Sequence, residues 1–396
     1  MRSKSVTIAS LGVAQILGWG TSFYFPAVLA PPIVAETGWS LGWVVTGTTV
    51  GLLVAGLMAP RVGAFIDRHG GRPSLAASSL LFAAGLTCIG LAPNLPVFLL
   101  GWVVVGFGMG TGLYDAAFAA LGKLYGAEAR VPITNLTLIG GFASTVCWPL
   151  SAFLAETFGW RGACFVYAAL HLGLSLPLQM AVMPPLTQTA GAAGGYAAGD
   201  PERRAAIPSG QWLPFVLLAS ILTVASGIGS IVIVHFMIFL QARGADLALA
   251  VALGTLFGPS QVAARIVERL FGARYHPIWT MVASGVLMAL GLAMLLGEAS
   301  WLVLTVVIYG SGYGIMWIAR GTLPLALFGA DRYATLMGRL AFPALIVQAL
   351  APSAGAWMVE RHGADAALAA LTALAVLNVA LIAILWLLCW PRGPAI

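Results

Sequence analysis

The stretch "RVGAFIDRHGGR", residues 61–72, is unusually charged for this protein. It contains Arg61, Asp67, Arg68, His69 and Arg72, whereas Asp, Glu, Lys and Arg together make up 8% of the chain. Long apolar runs lie on both sides of it. Because charge collects between two apolar runs, the stretch predicts a connection between two membrane-spanning helices.

Composition supports an integral membrane protein. The chain has 396 residues, of which 60% are hydrophobic, while a soluble domain is typically about a quarter charged. Its net charge of +6 comes from basic residues scattered over short loops, which argues against nucleic-acid binding. The sequence has no P-loop, catalytic triad or metal-ligand spacing, so we expect no enzyme activity, no cofactor and no metal.

Apolar runs bounded by charge, Pro or Gly predict an all-α protein with twelve transmembrane helices. A Gly-, Ala- and Pro-rich stretch, 184–210, predicts a cytoplasmic linker between two six-helix bundles, 1–183 and 211–396. The predicted spans are 6–30, 41–60, 73–92, 96–121, 131–155, 160–183, 211–240, 247–267, 276–297, 301–328, 333–359 and 365–390.

Basic residues predict the orientation. With the N-terminus inside, the outer loops hold only Arg161, Arg243 and Arg361 of the 19 Lys and Arg residues. This asymmetry predicts cytoplasmic N- and C-termini in a multi-pass protein of the inner membrane. We expect a monomer surrounded by the lipid bilayer.

The two halves resemble each other at an offset near 200 residues. "DRHGGR" (67–72) aligns with "ERLFGAR" (268–274), and "GFGMGTGLYD" (106–115) with "GSGYGIMWIAR" (310–320). "GAEAR" (126–130) aligns with "GADR" (329–332) in the same order. Two parallel six-helix repeats are typical of secondary transporters.

The stretch "GAFIDRHGGRP" resembles the motif between the second and third helices of the major facilitator superfamily. Gly63, Asp67, Arg68, Gly70 and Arg72 match it, while Gly71 interrupts the usual basic pair. "GWR" (159–161) adds a distant similarity to monocarboxylate-type carriers. The resemblance implies the two-bundle fold and alternating-access transport of a small molecule.

The motif charges are predicted to act as a conformational latch. Asp67 is expected beside the positive N-terminus of the eleventh span, and Glu268, followed by Arg269, beside the fifth span. The alternative is a solvated loop that merely follows the cytoplasmic bias of basic residues.

The resemblance implies that the first, fourth, seventh and tenth spans line the substrate cavity. For each candidate in these and the neighbouring spans, the alternative is helix–helix packing or hydrogen bonding. Arg265 either binds an anion or extends to the inner interface. The substrate-binding candidates are Gln15, Trp19, Ser226, Ser230, Arg265, Tyr313, Trp317 and Gln348.

Asp115 and Arg320 occupy matching positions in the two repeats with opposite charge. Since an unpaired charge at membrane depth is costly, we expect them to pair as a cytoplasmic gate and to separate when the inner side opens. The alternative is that each side chain extends separately to the inner surface.

These features favour a secondary transporter, a symporter or antiporter, for a small organic solute, with an anion preferred because of the arginines. Protons are a candidate coupling ion. One alternative is proton-coupled efflux of drugs or amphipathic metabolites. An alternative of another class is a non-transporting membrane receptor on the same fold.

Overall fold

The computed structural model describes residues 3–185, 207, 209–297 and 301–389. Within these ranges the chain is helical apart from short connections, and it has no β-strand. Most of the predicted linker 184–210 lies outside the described residues. So do Arg2, Arg203, Arg204 and Arg392, on which the predicted orientation partly depends.

Besides α-helices, the described chain has 3-10 turns at Gly126–Ala129, Ser209–Gln211 and Gly272–Arg274 and a π-helical turn at His171–Ser175. In chain order the α-helices are α1 (Lys4–Gly20), α2 (Phe25–Thr37), α3 (Leu41–His69), α4 (Gly71–Leu91), α5 (Leu95–Gly112), α6 (Tyr114–Tyr125), α7 (Arg130–Gly140), α8 (Ala143–Leu170), α9 (Leu176–Val182), α10 (Trp212–Ala242), α11 (Leu247–Phe271), α12 (Pro277–Leu295), α13 (Leu302–Phe328) and α14 (Tyr333–Cys389).

Nine helical segments of the described chain are long and apolar enough to cross a membrane. Leu95–Val182 has 88 residues and turns at Gly126 and Gly159, so it holds three spans. Tyr333–Cys389 has 57 residues and turns at Gly363, so it holds two. All three glycines have positive φ, which L side chains rarely adopt. The predicted all-helical, twelve-span fold class is therefore confirmed.

The second and eighth spans are longer than predicted. α3 continues to His69 instead of ending near residue 60, and α11 continues to Phe271 instead of 267. Charge does not stop these helices, because basic side chains in a last turn interact favourably with the helix dipole. What ends α3 is Gly70, at φ 77°, so most of the charged stretch is helical rather than a loop.

The fourth span, predicted as one helix over 96–121, consists of two. α5 ends at Gly112, Leu113 has an extended ψ of −172°, and α6 begins at Tyr114. The glycines at 106, 108, 110 and 112 lower helix propensity just before this break.

The described contacts divide the chain into two compact units. The first consists of Met1–Ala205 with Ala330–Ala349, and the second of Ala206–Gly329 with Leu350–Ile396. In the first unit α5 packs against α3 and α4, and in the second unit α13 packs against α11 and α12. The fourth and tenth spans thus take equivalent places, as the repeat predicts.

Candidate functional site

Asp67 lies in the last turn of α3, in the first unit. Lys123 donates from Nζ to its Oδ1 at 3.0 Å, and Thr335 donates from Oγ1 to its Oδ2 at 3.5 Å. Because Thr335 lies in the first turn of α14, the carboxylate is placed at the N-terminus of the eleventh span. Lys123 was not anticipated, since it lies just beyond the predicted end of the fourth span.

Two glycines let α3 and the start of α14 approach closely. A Cβ at Gly63 would lie 2.5 Å from the Ala334 carbonyl oxygen, and one at Gly338 would lie 2.2 Å from that of Ala59. Gly63 therefore serves a close helix crossing, whereas Gly70 serves the helix end. Arg68 is exposed and Arg72 is half-buried beside them.

The corresponding part of the second unit is the last turn of α11. There Thr280 donates from Oγ1 to Glu268 Oε1 at 2.7 Å, and Arg269 follows half-buried. The contact predicted between Glu268 and the fifth span remains a prediction.

The break in the fourth span is covered by side chains of neighbouring helices. Gln15 on α1 donates from Nε2 to the Gly112 carbonyl at 2.7 Å, and Ser74 on α4 donates from Oγ to the Thr111 carbonyl at 2.9 Å. Trp19, one turn after Gln15, places its ring 5.2 Å from that of Tyr114. The sequence analysis did not identify Ser74 and Tyr114, and the run of glycines before Leu113 is the feature that could have indicated a break in this span.

Arg265 lies inside the second unit. It is 3% exposed, donates from Nε to the Gly314 carbonyl on α13 at 2.9 Å, and has Gln261 Oε1 3.4 Å from Nη2. The guanidinium thus faces the tenth span. Anion binding and extension to the inner interface, the two interpretations left open by the sequence, both remain predictions for Arg265.

Arg320 is the single charged residue in the sequence of α13 and is 1% exposed. It donates from Nη1 to Ser226 Oγ on α10 at 3.2 Å. Its guanidinium carbon also lies 5.3 Å from the centre of the Trp317 ring, a cation–π distance. The structure thus joins two separately predicted candidates, Ser226 and Arg320.

Aromatic rings run along α13 from Tyr309 toward Arg320. The centroids of Tyr309 and Tyr313 are 6.4 Å apart, and those of Tyr313 and Trp317 are 6.2 Å apart. Phe257 on α11 stacks on Tyr309 at 6.1 Å and on Tyr313 at 5.9 Å. Phe257 was missed by sequence reasoning because nothing distinguishes it from an ordinary apolar residue of its helix.

Ser230 on α10 and Gln348 on α14 are buried, at 4% and 3% exposure. Asp115 lies half-buried in the first turn of α6. Asp115 belongs to the first compact unit and Arg320 to the second, and their pairing remains a prediction. The described residues contain no group of three or more His, Cys, Asp or Glu able to hold a metal ion.

Curated proteins match parts of the chain. It is 31% identical over 185 residues to the transcription regulatory protein OpdE of Pseudomonas aeruginosa, covering 44% of this chain and 43% of OpdE. It is 32% identical over 154 residues to mouse monocarboxylate transporter 11, covering 37% and 33%. It is 31% identical over 170 residues to the lincomycin resistance protein of Streptomyces lincolnensis, covering 40% and 33%. The chain therefore aligns with less than half the length of each relative.

Solved structures match nearly the whole chain in fold. The human organic anion transporter MFSD10 superposes with a TM-score of 0.71 at 14% identity, covering 96% of this chain and 100% of that one. The proton:xylose symporter XylE gives 0.76 at 13% identity, covering 96% of each. Finally, the sequence profile of the Major Facilitator Superfamily matches residues 11–275, more than half of the 396 residues. The chain is a multi-pass membrane protein that belongs to the Major Facilitator Superfamily.

Proposed function

We propose that this protein is a secondary transporter that carries a small organic anion by alternating access. The proposal rests on two buried guanidinium groups. Arg265 donates to the α13 backbone, and Arg320 is itself a residue of α13. Charged residues inside spans are expensive and are found mainly where a substrate or ion must be handled. We propose the inner membrane as its location, with both termini cytoplasmic.

The surroundings of the arginines favour an anion with an apolar or aromatic body. The Trp317 ring lies at cation–π distance from Arg320, and Tyr313 and Phe257 extend the aromatic row away from it. Guanidinium binds a carboxylate through parallel N–H donors, and ring faces bind apolar or aromatic groups. The partial similarity to monocarboxylate transporter 11 agrees with a carboxylate substrate.

Two other functions have a specific observation behind them. The alternative of proton-coupled efflux of a drug or amphipathic metabolite agrees with the partial similarity to a lincomycin resistance protein. Similarity to OpdE, which is named as a transcription regulatory protein, favours a receptor that does not transport. The arginines inside the second unit support the anion carrier over both.

Thermal unfolding of the purified protein tests the anion assignment. The ligands are acid–amide pairs, among them benzoate with benzamide and phenylacetate with phenylacetamide, together with aliphatic acids. A bound acid at 100 times its Kd adds about 2.7 kcal/mol of stability, and its amide should add far less. Arg265→Gln should remove the difference, whereas Arg274→Gln, a change at an exposed arginine, should keep it.

The acid that binds is then tested for uptake into proteoliposomes. Counterflow of that acid supports a carrier, whereas binding without counterflow favours the receptor. Equal stabilisation by acids and amides, or an unchanged acid effect in Arg265→Gln, contradicts the anion assignment.

A further inference from the structure

The side-chain amide of Gln15 donates one hydrogen bond, while its oxygen accepts none in the described part of the chain. Its side chain is 2% exposed, and an amide atom lies 2.7 Å from the Gly112 carbonyl oxygen. Because a carbonyl oxygen only accepts, this atom is the amide nitrogen, and the orientation of the amide is fixed. Gln15 Oε1 is then a buried acceptor, and it has no hydrogen-bond partner in the described part of the chain.

The unused oxygen lies at the break of the fourth span. Gly112 is the last residue of α5, and α6 begins two residues later without a side-chain cap at Leu113. In a regular helix the backbone leaves little room or need for a foreign amide at this point. At the break, a polar side chain of the first span instead contacts the backbone of the fourth span.

A buried acceptor without a partner is costly, and most such atoms in proteins are paired with a protein group, water or a ligand. Apolar side chains lie against the adjoining turns of α1, since a Cβ at Gly18 would lie 3.1 Å from Leu113 Cδ2 and one at Gly12 would lie 2.5 Å from Ile139 Cγ2. A neutral hydroxyl donor is buried there at lower cost than an ammonium group.

We infer that Gln15 Oε1 is a subsite that accepts a hydrogen bond from a hydroxyl group of the transported solute. This rests on the proposed function, since it requires that the protein carries a solute. It adds a substrate feature, a hydroxyl group that donates a hydrogen bond, and gives the first unit a binding role of its own.

Matched ligands that differ at one carbon test the subsite. Phenylacetate, mandelate and phenylglycine carry hydrogen, hydroxyl and ammonium at the same carbon. In 4-hydroxyphenylacetate the hydroxyl group lies at another position, and in the pair propionate and lactate a methyl group replaces the phenyl ring. Neutral pairs such as ethylbenzene and 1-phenylethanol remove the carboxylate. In thermal-shift titrations the wild-type protein should bind a hydroxylated member about tenfold more tightly than its hydrogen counterpart, the upper range for one hydrogen bond.

Gln15→Leu should bind both members of the preferred pair equally. Gln179→Leu is the matched control, because Gln179 is buried in the same unit at 3% exposure, but its Oε1 already accepts from Ser79 Oγ at 2.8 Å. This control should keep the tenfold preference. Gln15→Lys keeps a donor for the Gly112 carbonyl and lacks an acceptor, so it should lose the preference even if Gln15→Leu folds poorly.

The inference is overturned if no hydroxylated member is preferred by the wild-type protein, or if the preference survives in a folded Gln15→Leu or Gln15→Lys protein. The latter result would mean that water alone serves Oε1. Preference for phenylglycine over mandelate would overturn the hydroxyl in favour of an amine. Failure of the proposed function is separate, because it shows in the comparison of acids with amides.

Discussion

The fourth and tenth spans occupy the same place in the two repeats, yet their backbones differ. The fourth is broken at Gly112–Leu113, while the tenth, α13, is one helix of 27 residues. Each accepts a hydrogen bond from another span. Gln15 donates to Gly112 in the first unit, and Arg265 donates to Gly314 in the second.

The two repeats share the close packing of their helices but differ in the side chains that donate to the fourth and tenth spans. A Cβ at Gly106 would lie 2.7 Å from the Gly51 carbonyl oxygen on α3, and one at the equivalent Gly310 would lie 2.2 Å from Ser260 Oγ on α11. The glycines therefore maintain the same close crossings in both repeats. The side chain that donates to the fourth span is the neutral amide of Gln15, whereas the one that donates to the tenth span is the guanidinium of Arg265. The two repeats therefore share the geometry of their helix crossings and differ in the side chains that contact these spans.

The largest expected effect is on the charges at matching positions of these two spans. Asp115→Asn and Arg320→Gln should each reduce transport at least about a hundredfold, because an uncompensated charge at membrane depth costs a few kcal/mol. The swap Asp115→Arg with Arg320→Asp should restore part of the activity. Proteoliposome uptake is measured for the wild-type protein, the two single variants and the swapped protein, and normal uptake by either single variant would exclude the gate.

A smaller effect, on stability, is expected from Gly→Ala substitutions at equivalent positions of the two spans. A Cβ at Gly314 would lie 2.7 Å from the backbone of Gln261, whereas one at the equivalent Gly110 would lie 3.2 Å from Ala55 Cα. Gly314→Ala should destabilise the protein by about 1–3 kcal/mol, as overpacking does, and Gly110→Ala by less than about 1 kcal/mol.

Thermal unfolding in detergent measures both variants. Gly258→Ala is the control, because a Cβ there meets no atom within 4 Å and alanine favours a helix. Equal destabilisation at Gly110 and Gly314 would show that the two crossings tolerate volume alike and that the repeats differ less than their contacts indicate.

The smallest effect concerns the ends of the second and eighth spans. Asp67→Asn should keep the fold, shift the population toward inner-open states and slow transport about two- to fivefold, corresponding to the 0.3–1 kcal/mol of a carboxylate at a helix N-terminus. Glu268→Gln should change less, because the amide oxygen of glutamine can still accept from Thr280. Cysteine labelling from each side of the membrane reports the shift, and identical labelling of Asp67→Asn and wild-type protein would exclude a latch.

The sequence by itself determined the membrane class, the twelve spans and the family resemblance. These follow from quantities that depend on the chain alone, namely the length of apolar runs, the glycines at turns, and a charged stretch with a recognisable pattern. Charge at membrane depth likewise singled out Arg265, Arg320 and Asp115 without any knowledge of their neighbours. Helix ends were less predictable, since the charges of α3 and α11 lie inside the helices and Gly70 ends the former.

Only the tertiary structure decided which partner each side chain finds. At the break after Gly112, Gln15 and Ser74 donate to backbone carbonyls of the fourth span from other helices. The ion pair of Asp67 with Lys123 joins residues 56 positions apart. Phe257 enters the aromatic row because α11 crosses α13 at Gly310 and Gly314. Such contacts depend on distances between helices, which no local pattern of residues specifies.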